Sequence, residues 1–556
     1  MHSFKNKQLV RYTLLAAVYL CLTLPFSGSV PLVDPDEGYY PETAREMIER
    51  GNWLDPVFNG EPRWGKPVGY YLLEVLSFKA LGTSEFSARL PSLLAGLGFV
   101  LLTAALGGRL HSGRAGFYSG LFAASALQPV VYGRTAVPDM LLAFFICLAL
   151  YGFVLWEQAD NIGEKTQGRT ALAMVYLGSA LAFLVKGPLG VILPGITVAA
   201  YLILSRRLKK VLRLELWWGI PLFLLAAAPW FVYMYYLHGP AYLEEFFLHR
   251  NLQRYFTNRW AHPGPVYYYL PIIIIGAFPW SLALIGGIAQ SLGQLWTNWK
   301  KTLTRKSFNN PELFLWCWFG AMLVFFSFSR SKLPNYVLPL YPAAAVLSGN
   351  FLAGMEKSPG RKKLLALVGG TALFALTVLA TAIFLLPGKV AIPDTLVLAS
   401  LAPLGLIPLG AIVFLFKNKL VIFWGCSVAA MALVFAMVSG IAMPRADRFT
   451  AIKTLSESRL HSLGDRERIL CLEVWPPSLL FYTGREVLRF DPQRDRWDDF
   501  VKEGGRWVLT RERSMALLDS LMQGRAPAEL HRTGDLVLVR LETAPGTAGS
   551  TPVDNY

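Results

Sequence analysis

Apolar runs long enough to cross a lipid bilayer recur along the first 444 positions of the chain. A helix that spans about 30 Å of hydrocarbon needs roughly 17 to 25 mainly apolar residues. Stretches of that length lie near 9–27, 88–106, 115–131, 137–156, 170–185, 188–205, 216–236, 266–290, 313–328, 335–353, 364–386, 395–416 and 420–442. In lipid each backbone N–H and C=O has to be satisfied within its own segment, so such runs fold as helices. The expected fold is therefore an all-α polytopic membrane protein of about 13 transmembrane helices over residues 1–444. A chain that is 54% hydrophobic and only 16% charged is too apolar to be a soluble protein of 556 residues. Pro188, Pro194, Pro271 and Pro342 fall inside or at the ends of these runs, which membrane helices tolerate when neighbours satisfy the freed carbonyls.

The charges fix an orientation. The N-terminus through Arg11 and the segments 107–115, 157–169, 206–215, 291–312, 354–363 and 417–419 carry 22 basic and 6 acidic residues. The alternate segments up to 444 carry 14 of each, and residues 445–556 carry 17 of each. The whole surplus of +16 lies on one side, which the positive-inside rule makes cytoplasmic. The N-terminus is then cytoplasmic and, with an odd number of spans, the C-terminal region lies on the opposite, periplasmic side. Basic runs such as "SRRLKKVLR" (205–213) and "NWKKTLTRK" (298–306) are topology signals, so the pI of 9.5 calls for no nucleic-acid partner. "FKNKQLVR" precedes the first apolar core, which is long for a signal peptide and is followed by no small-x-small cleavage site; it reads as a retained first span. Of the five cysteines four fall inside spans and none shows CxxC spacing, so no disulfide framework is expected.

Two non-cytoplasmic loops are unusually long, 28–87 and 237–265. In the first, "PETAREMIERG" matches the capping and dipole preferences of a short helix, with Pro41 at its start, Glu42 in the first turn, Arg50 in the last turn and Gly51 beyond. "KPVGYYLLEVLSFKALG" is too short and too charged to span and reads as re-entrant or interfacial. After Pro444 the composition becomes that of a soluble domain. "RILCLEVW", "LLFYTGREVLRF", "GRWVLTR" and "GDLVLVRLE" read as strands with a helix around 514–523, which gives a small α/β domain over 445–542. The tail 543–556, rich in Gly, Pro, Thr and Ser, reads as disordered.

Ionisable residues gather at one face of the spans. Asp36 and Glu37 precede the short helix, and Asp139 opens the fourth span in "VPDMLLAFF". Lys186 closes the fifth in "LVKGPLG", and Lys66 sits in "RWGKPVGYY". His249, Arg250, Arg254 and Arg259 come from "FFLHRNLQRYFTNRW", and Arg330, Lys332 and Tyr336 from "SRSKLPNY". Singly these have structural readings: Asp139 as a helix cap, Lys186 as a snorkelling side chain, Trp260 and Tyr267–Tyr269 as an interfacial aromatic belt. Together, two carboxylates facing several cations and tyrosines can hold a phosphate and take a proton from an incoming nucleophile. A lipid phosphate is the natural ligand at headgroup depth, and the chemistry suggested is transfer of a group from it to an acceptor.

An acidic pair after the first span, a juxtamembrane helix, "RWGKPVGYY", "VPDMLLAFF", "LVKGPLG", "FFLHRNLQRYF" and "SKLPNYVLPLYP" together resemble the GT-C membrane glycosyltransferases over about residues 9–342. The likeness is to bacterial aminoarabinose transferases acting on lipid A and, more distantly, to protein O-mannosyltransferases. The resemblance implies an inverting glycosyltransferase that takes a sugar from a polyprenyl (undecaprenyl) phosphate carrier. It implies catalytic roles for Asp36 and Asp139, carrier-phosphate contacts from Lys66, Arg254, Tyr336, Tyr40 and Lys332, and secondary roles for Glu37, Arg63, Lys186 and Arg250. It also implies a divalent metal at His249, although the carboxylate expected before Lys66 is Gly65 here. Where an arginine is common, "DEGYYPE" carries Tyr39, which leaves one phosphate contact to Arg63 or Arg250. The implied partners are the polyprenyl-phosphate-linked sugar, membrane lipids, and an acceptor that is lipid A, another glycan or a protein. The implied location is the bacterial inner membrane. Protein O-glycosylation is the alternative within the class. A polyprenyl-lipid transporter is an alternative outside it, as is a receptor whose spans only anchor a binding domain, but a transporter favours broken helices at mid-membrane over charges at one face.

Overall fold

A computed structural model describes residues 2–257, 263–304, 310–357, 360–385, 393–417, 419–460, 468–491, 495, 497–502, 505–522 and 527–541. Arg259, Trp260, the end of the basic run 298–306 and the tail 543–556 lie outside the described residues.

The first half of the chain is a succession of helices: α1 (His2–Thr23), α2 (Asp36–Glu49), α3 (Gly69–Leu81), α4 (Glu85–Leu110), α5 (Gly113–Ser125), α6 (Leu127–Gly133), α7 (Asp139–Ile162), α8 (Lys165–Lys186), α9 (Leu189–Leu204) and α10 (Leu216–His238). Among the described residues nine helices are each long and apolar enough to cross a membrane. The number is ten if Val266–Gly276 and Ser281–Thr297, bent by 118°, form one broken span. The protein is thus a multi-pass membrane protein. The stretches predicted as further unbroken spans depart from that form for identifiable reasons. The run 266–290 breaks beside Pro279, which has no N–H to donate. The run 115–131 breaks at Ala126, whose ψ of 143° is extended. The run 188–205 yields only the 16 residues of α9, and α1 carries Lys5, Lys7 and Arg11.

Helix starts follow local chemistry. Ser84 caps α4 with a reciprocal pair: its hydroxyl accepts from Ser87 N–H, and the Ser87 hydroxyl accepts from Ser84 N–H. Ser112 caps α5 through Ala115 N–H. Small residues then let the two helices touch, since a Cβ at Gly107 would stand 2.5 Å from Ser119 Oγ and one at Gly116 2.5 Å from the Ala104 carbonyl. Deeper in the bundle the Trp280 and Trp424 rings stack at 3.9 Å.

Two arginines anchor the first loop. Arg89, 4% exposed near the start of α4, donates to the carbonyls of Ser27, Val30 and Pro31 and forms a double bond-pair with Glu37 at 2.9 and 2.8 Å. Arg134 donates to the carbonyls of Leu22 and Pro25 at the end of α1.

A two-residue-strand hairpin, β1 (Val57–Phe58) and β2 (Glu61–Pro62), closes the turn after α2. The C-terminal region holds β3 (Arg468–Leu472), β4 (Val487–Phe490), β5 (Gly505–Arg511), β6 (Pro527–Thr533) and β7 (Leu536–Leu541) in the order β4-β3-β5-β7-β6. β3 runs parallel to β4 and β5, and β7 antiparallel to β5 and β6. Period-two alternation splits the sheet into two cores. Ile469, Cys471, Leu509 and Leu538 face Phe58, Ala451 and Leu479, while Leu470, Leu472, Val508 and Val539 face Phe500 and Leu518. One sheet face therefore packs on the loop that carries Asp36. Within "LLFYTGREVLRF" the first half is the short helix Ser478–Thr483 rather than strand, because the preceding Pro476-Pro477 sets a helix start; β6 has no counterpart among the expected strands.

Candidate active site

The α7–α8 hairpin places the first pair of charges. Only Gly163 and Glu164 separate the two helices, and Gly163 turns the chain with a left-handed φ of 77°. Helices of 24 and 22 residues running back to back bring the N-terminus of α7 beside the C-terminus of α8. Asp139 thus stands in the first turn of one helix and Lys186 in the last turn of the other, each favoured by its helix dipole. Their side chains meet at 2.5 Å, 6% and 8% exposed.

α2 supplies the second carboxylate. Adjacent positions on a helix point about 100° apart, and the two acidic neighbours part accordingly. Asp36 faces a cavity, whereas Glu37 turns inward to Arg89 and accepts from the backbone N–H groups of Ala136 (2.7 Å) and Val33 (3.0 Å). Glu37 is therefore held in structural bonds.

The second long loop contributes cations. Glu244–Gln253 is a π-helix, continued by the helical turn Arg254–Phe256. Its wider turn pairs residues five apart, as in Arg250 Nε to Glu245 Oε1 at 2.6 Å and Asn251 Nδ2 to the Phe246 carbonyl at 2.7 Å. Arg250 and Arg254, four apart, both reach the cavity. Tyr336 comes from the 3-10 turn Pro334–Leu340, pinned at both ends by Gln128 Nε2 on the Pro334 carbonyl (2.6 Å) and Trp318 Nε1 on the Pro339 carbonyl (2.9 Å).

The cavity measures about 590 Å³. Asp36, Tyr40, Lys66, Asp139, Lys186, Arg250, Arg254 and Tyr336 line its polar part, and Leu189, Ile192, Phe247, Leu252, Phe325 and Leu333 its apolar part. Residues from six separate stretches of chain thus converge. Lys186 Nζ also lies 5.4 Å from the centre of the Tyr336 ring.

Other expected residues stand apart. Arg63 does not line the cavity; its guanidinium lies 4.3 Å from the Tyr39 ring centre and 5.5 Å from that of Tyr40, and Nε donates to Tyr71 Oη at 3.0 Å. It backs the cavity tyrosine rather than entering the space. Lys332 is buried and donates to the Ser329 carbonyl. His249 is not in the lining, and its Nδ1 is buried without a hydrogen-bond partner. Gly65 offers no ligand atom from its side chain, and among the described residues no three His, Cys, Asp or Glu side chains are grouped to hold a metal ion. These residues do not fit the metal that the resemblance implies. Arg89 is absent from the expected set, and its one signal in the sequence is an arginine in the first turns of an apolar run, "SARLPSLLAG".

The electrostatics is that of a site crowded with cations. Burial holds Lys66 well below the usual lysine range, and the charges of Arg254 and Lys186 push it further down against the pull of Asp139. Burial also raises Asp36, helped by the charge of Asp139 and opposed by Lys186, Lys66 and Arg254. An anion among Lys66, Lys186 and Arg254 would relieve the repulsion that Lys66 feels and strengthen the proton affinity of Asp36.

Residues 8–242 match the family model of the dolichyl-phosphate-mannose-protein mannosyltransferases. The undecaprenyl phosphate-alpha-4-amino-4-deoxy-L-arabinose arabinosyl transferase of Pectobacterium carotovorum is 30% identical over 537 residues, covering 92% of this chain and 91% of that protein. Among solved structures, ArnT from Cupriavidus metallidurans bound to undecaprenyl phosphate has the same fold, with a TM-score of 0.78 at 23% identity over 98% of this chain and 99% of that one. The archaeal oligosaccharyltransferase AglB from Archaeoglobus fulgidus, in complex with an inhibitory peptide and a dolichol-phosphate, shares it more loosely: a TM-score of 0.52 at 13% identity over 93% and 71% of the two chains.

Proposed function

Because the chain belongs to the family of undecaprenyl phosphate-aminoarabinose arabinosyl transferases, we propose that it moves a sugar from an undecaprenyl phosphate carrier to lipid A or a related envelope glycolipid. It is a membrane glycosyltransferase. Residues 1–444 form its catalytic part, and residues 445–542 a periplasmic α/β domain. The enzyme sits in the bacterial inner membrane with its cavity toward the periplasm, as the one-sided charge surplus supports. The observation that carries the reading is the convergence of Asp36, Lys66, Asp139, Arg254 and Tyr336 on one cavity from distant stretches of chain.

In this site the carrier phosphate lies against Lys66 and Arg254, with the Tyr40 and Tyr336 hydroxyls as further donors. The apolar wall from Leu189 and Ile192 to Phe325 and Leu333 meets the hydrocarbon next to it. An acceptor oxygen attacks the anomeric carbon from the face opposite the phosphate. The new C–O bond forms as the bond to the phosphate oxygen breaks, which inverts the anomeric centre. The electron pair leaves with the phosphate, and its charge is stabilised by the cations already in place. Asp36 takes the acceptor proton when the acceptor is a hydroxyl, a task to which its raised proton affinity is suited. When the acceptor is an ionised phosphate no proton moves, and Asp36 stabilises positive charge developing on the sugar ring. Asp139, held by Lys186, orients that cation and keeps it from occupying Asp36.

The test is mass spectrometry of lipid A, envelope glycans and secreted proteins from cells with the wild-type chain, the Asp36→Asn variant or no chain. Loss of one mass addition on lipid A in both deficient strains, with expression unchanged, is the expected result. Full activity of Asp36→Asn removes its catalytic role. A mass change confined to secreted proteins replaces the lipid acceptor with a protein one, the second reading that the mannosyltransferase match favours.

A further inference from the structure

The first turn of α2 is fastened from two sides. On one side Arg89 holds Glu37. On the other side the C-terminal region reaches Asp34, two residues before Asp36. Asp34 Oδ1 accepts from Ser478 N–H at 2.8 Å, and Oδ2 accepts from the Ser478 hydroxyl. Gly38 makes this approach possible. A Cβ there would stand 2.4 Å from Ser478 N and 2.8 Å from the Pro477 carbonyl carbon, so helix and C-terminal region lie backbone against backbone. The same short helix carries Tyr482, whose hydroxyl accepts from Leu32 N–H at 2.8 Å. The far end of α2 is tied as well. Glu46 accepts from the N–H groups of Asn59 and Gly60, and the Asn59 side chain exchanges two bonds of 2.9 Å with the backbone of Val487 in β4.

We propose that the C-terminal region is a positioning element of the transferase, with Ser478, bonded to Asp34 across the gap left by Gly38, setting where the Asp36 carboxylate stands relative to the sugar. The inference rests on the reading of Asp36 as the residue that acts at the acceptor. Of the carrier-phosphate contacts, Lys66, Arg254 and Tyr336 come from other stretches of chain, and only the Tyr40 hydroxyl rides on α2 with Asp36. A displaced α2 therefore lowers turnover far more than donor binding, which loses at most the one Tyr40 hydrogen bond. Reactive groups moved by about 1 Å lose on the order of 100-fold in rate.

The experiment uses the full-length protein in lipid nanodiscs with undecaprenyl-phosphate-linked aminoarabinose as donor and purified lipid A as acceptor. Gly38→Ala, which forces α2 off the C-terminal region with a residue that favours helices, should lower kcat about 100-fold and raise the donor KM by no more than about tenfold, the worth of the one Tyr40 hydrogen bond. Ser478→Ala, which keeps the backbone bond, should lower kcat about tenfold, and Ser478→Thr should restore it. In an Asp36→Asn background, Ser478→Ala should cost nothing further. Unchanged kcat in Ser478→Ala and Gly38→Ala overturns the proposal, as does a rise in donor KM with kcat intact. If Gly38→Ala fails to fold, the Ser478 pair alone decides. If instead Asp36→Asn keeps full activity, the catalytic reading of Asp36 fails, an outcome read in that single variant without reference to Ser478.

Discussion

Replacing Lys186 by Met leaves Asp139, whose side chain is 6% exposed, without its partner at 2.5 Å. Removing one member of a buried ion pair typically costs about 3–5 kcal/mol, because the remaining charge stays desolvated. Lys66 also feels the charge of Asp139 and compensates in part, which puts the expectation at the lower end, about 3 kcal/mol. An unfolding entropy of about 2.1 cal/mol/K per residue over a chain of this length turns that into a fall of about 2–3 °C in Tm. Asp139→Asn with Lys186→Met removes both charges at nearly constant volume and should return stability to within about 1 kcal/mol of wild type. Thermal unfolding of the detergent-purified wild type, both single variants and the double variant closes the cycle. A double variant no more stable than Lys186→Met refutes the reasoning, since the loss would then come from packing around position 186 rather than from an unpaired carboxylate.

Asp36 must be ionised to act and its proton affinity is raised, so kcat/KM should fall with decreasing pH through a limb above about 4, the ordinary Asp value. Asp139→Asn removes one raising charge, so the residual activity of that variant should show the limb at lower pH; an upward move contradicts the assignment. Lys66→Ala should raise the donor KM about 10- to 100-fold, the worth of a charge-assisted hydrogen bond, and an unchanged dependence on donor concentration rules out a phosphate contact. Burial pushes the Asp34 carboxyl from 3.8 up to about 6, aided by the charge of Glu37 and against the Ser478 bonds. The folded state then holds this proton longer than the unfolded chain, and the contribution present below pH 4 is lost as pH rises to about 6, up to about 3 kcal/mol. Asp34→Asn should flatten that part of a Tm-against-pH curve; an unaltered slope assigns it elsewhere.

The cost of placing charge beside lipid is legible in the amino-acid order alone. Asp36, Asp139, Lys186 and Lys66 stand out because each interrupts or borders an apolar run, and the cavity collects all four. Glu37 does not separate from Asp36 by that criterion, since neighbours in sequence look alike until the helix turns them apart. Arg63 and Lys332 carry the right charge, but an aromatic stack and a local carbonyl hold them outside the cavity lining. The breaks at Ala126 and Pro279 escape because hydropathy sums over a window and does not register one extended residue or one missing donor. The tie between Asp34 and Ser478 joins residues 444 positions apart, a pairing that no local pattern encodes.

The hairpin of α7 and α8 works as a pair of matched rulers. Deleting one residue from either helix would retract its terminal charge by about 1.5 Å and swing it through about 100°. Asp139 and Lys186 would then miss each other, although every atom of the site chemistry remained. Length changes in this hairpin are therefore tolerable only in compensating pairs, and a chimera that borrows one of the two helices from a relative must borrow the other with it.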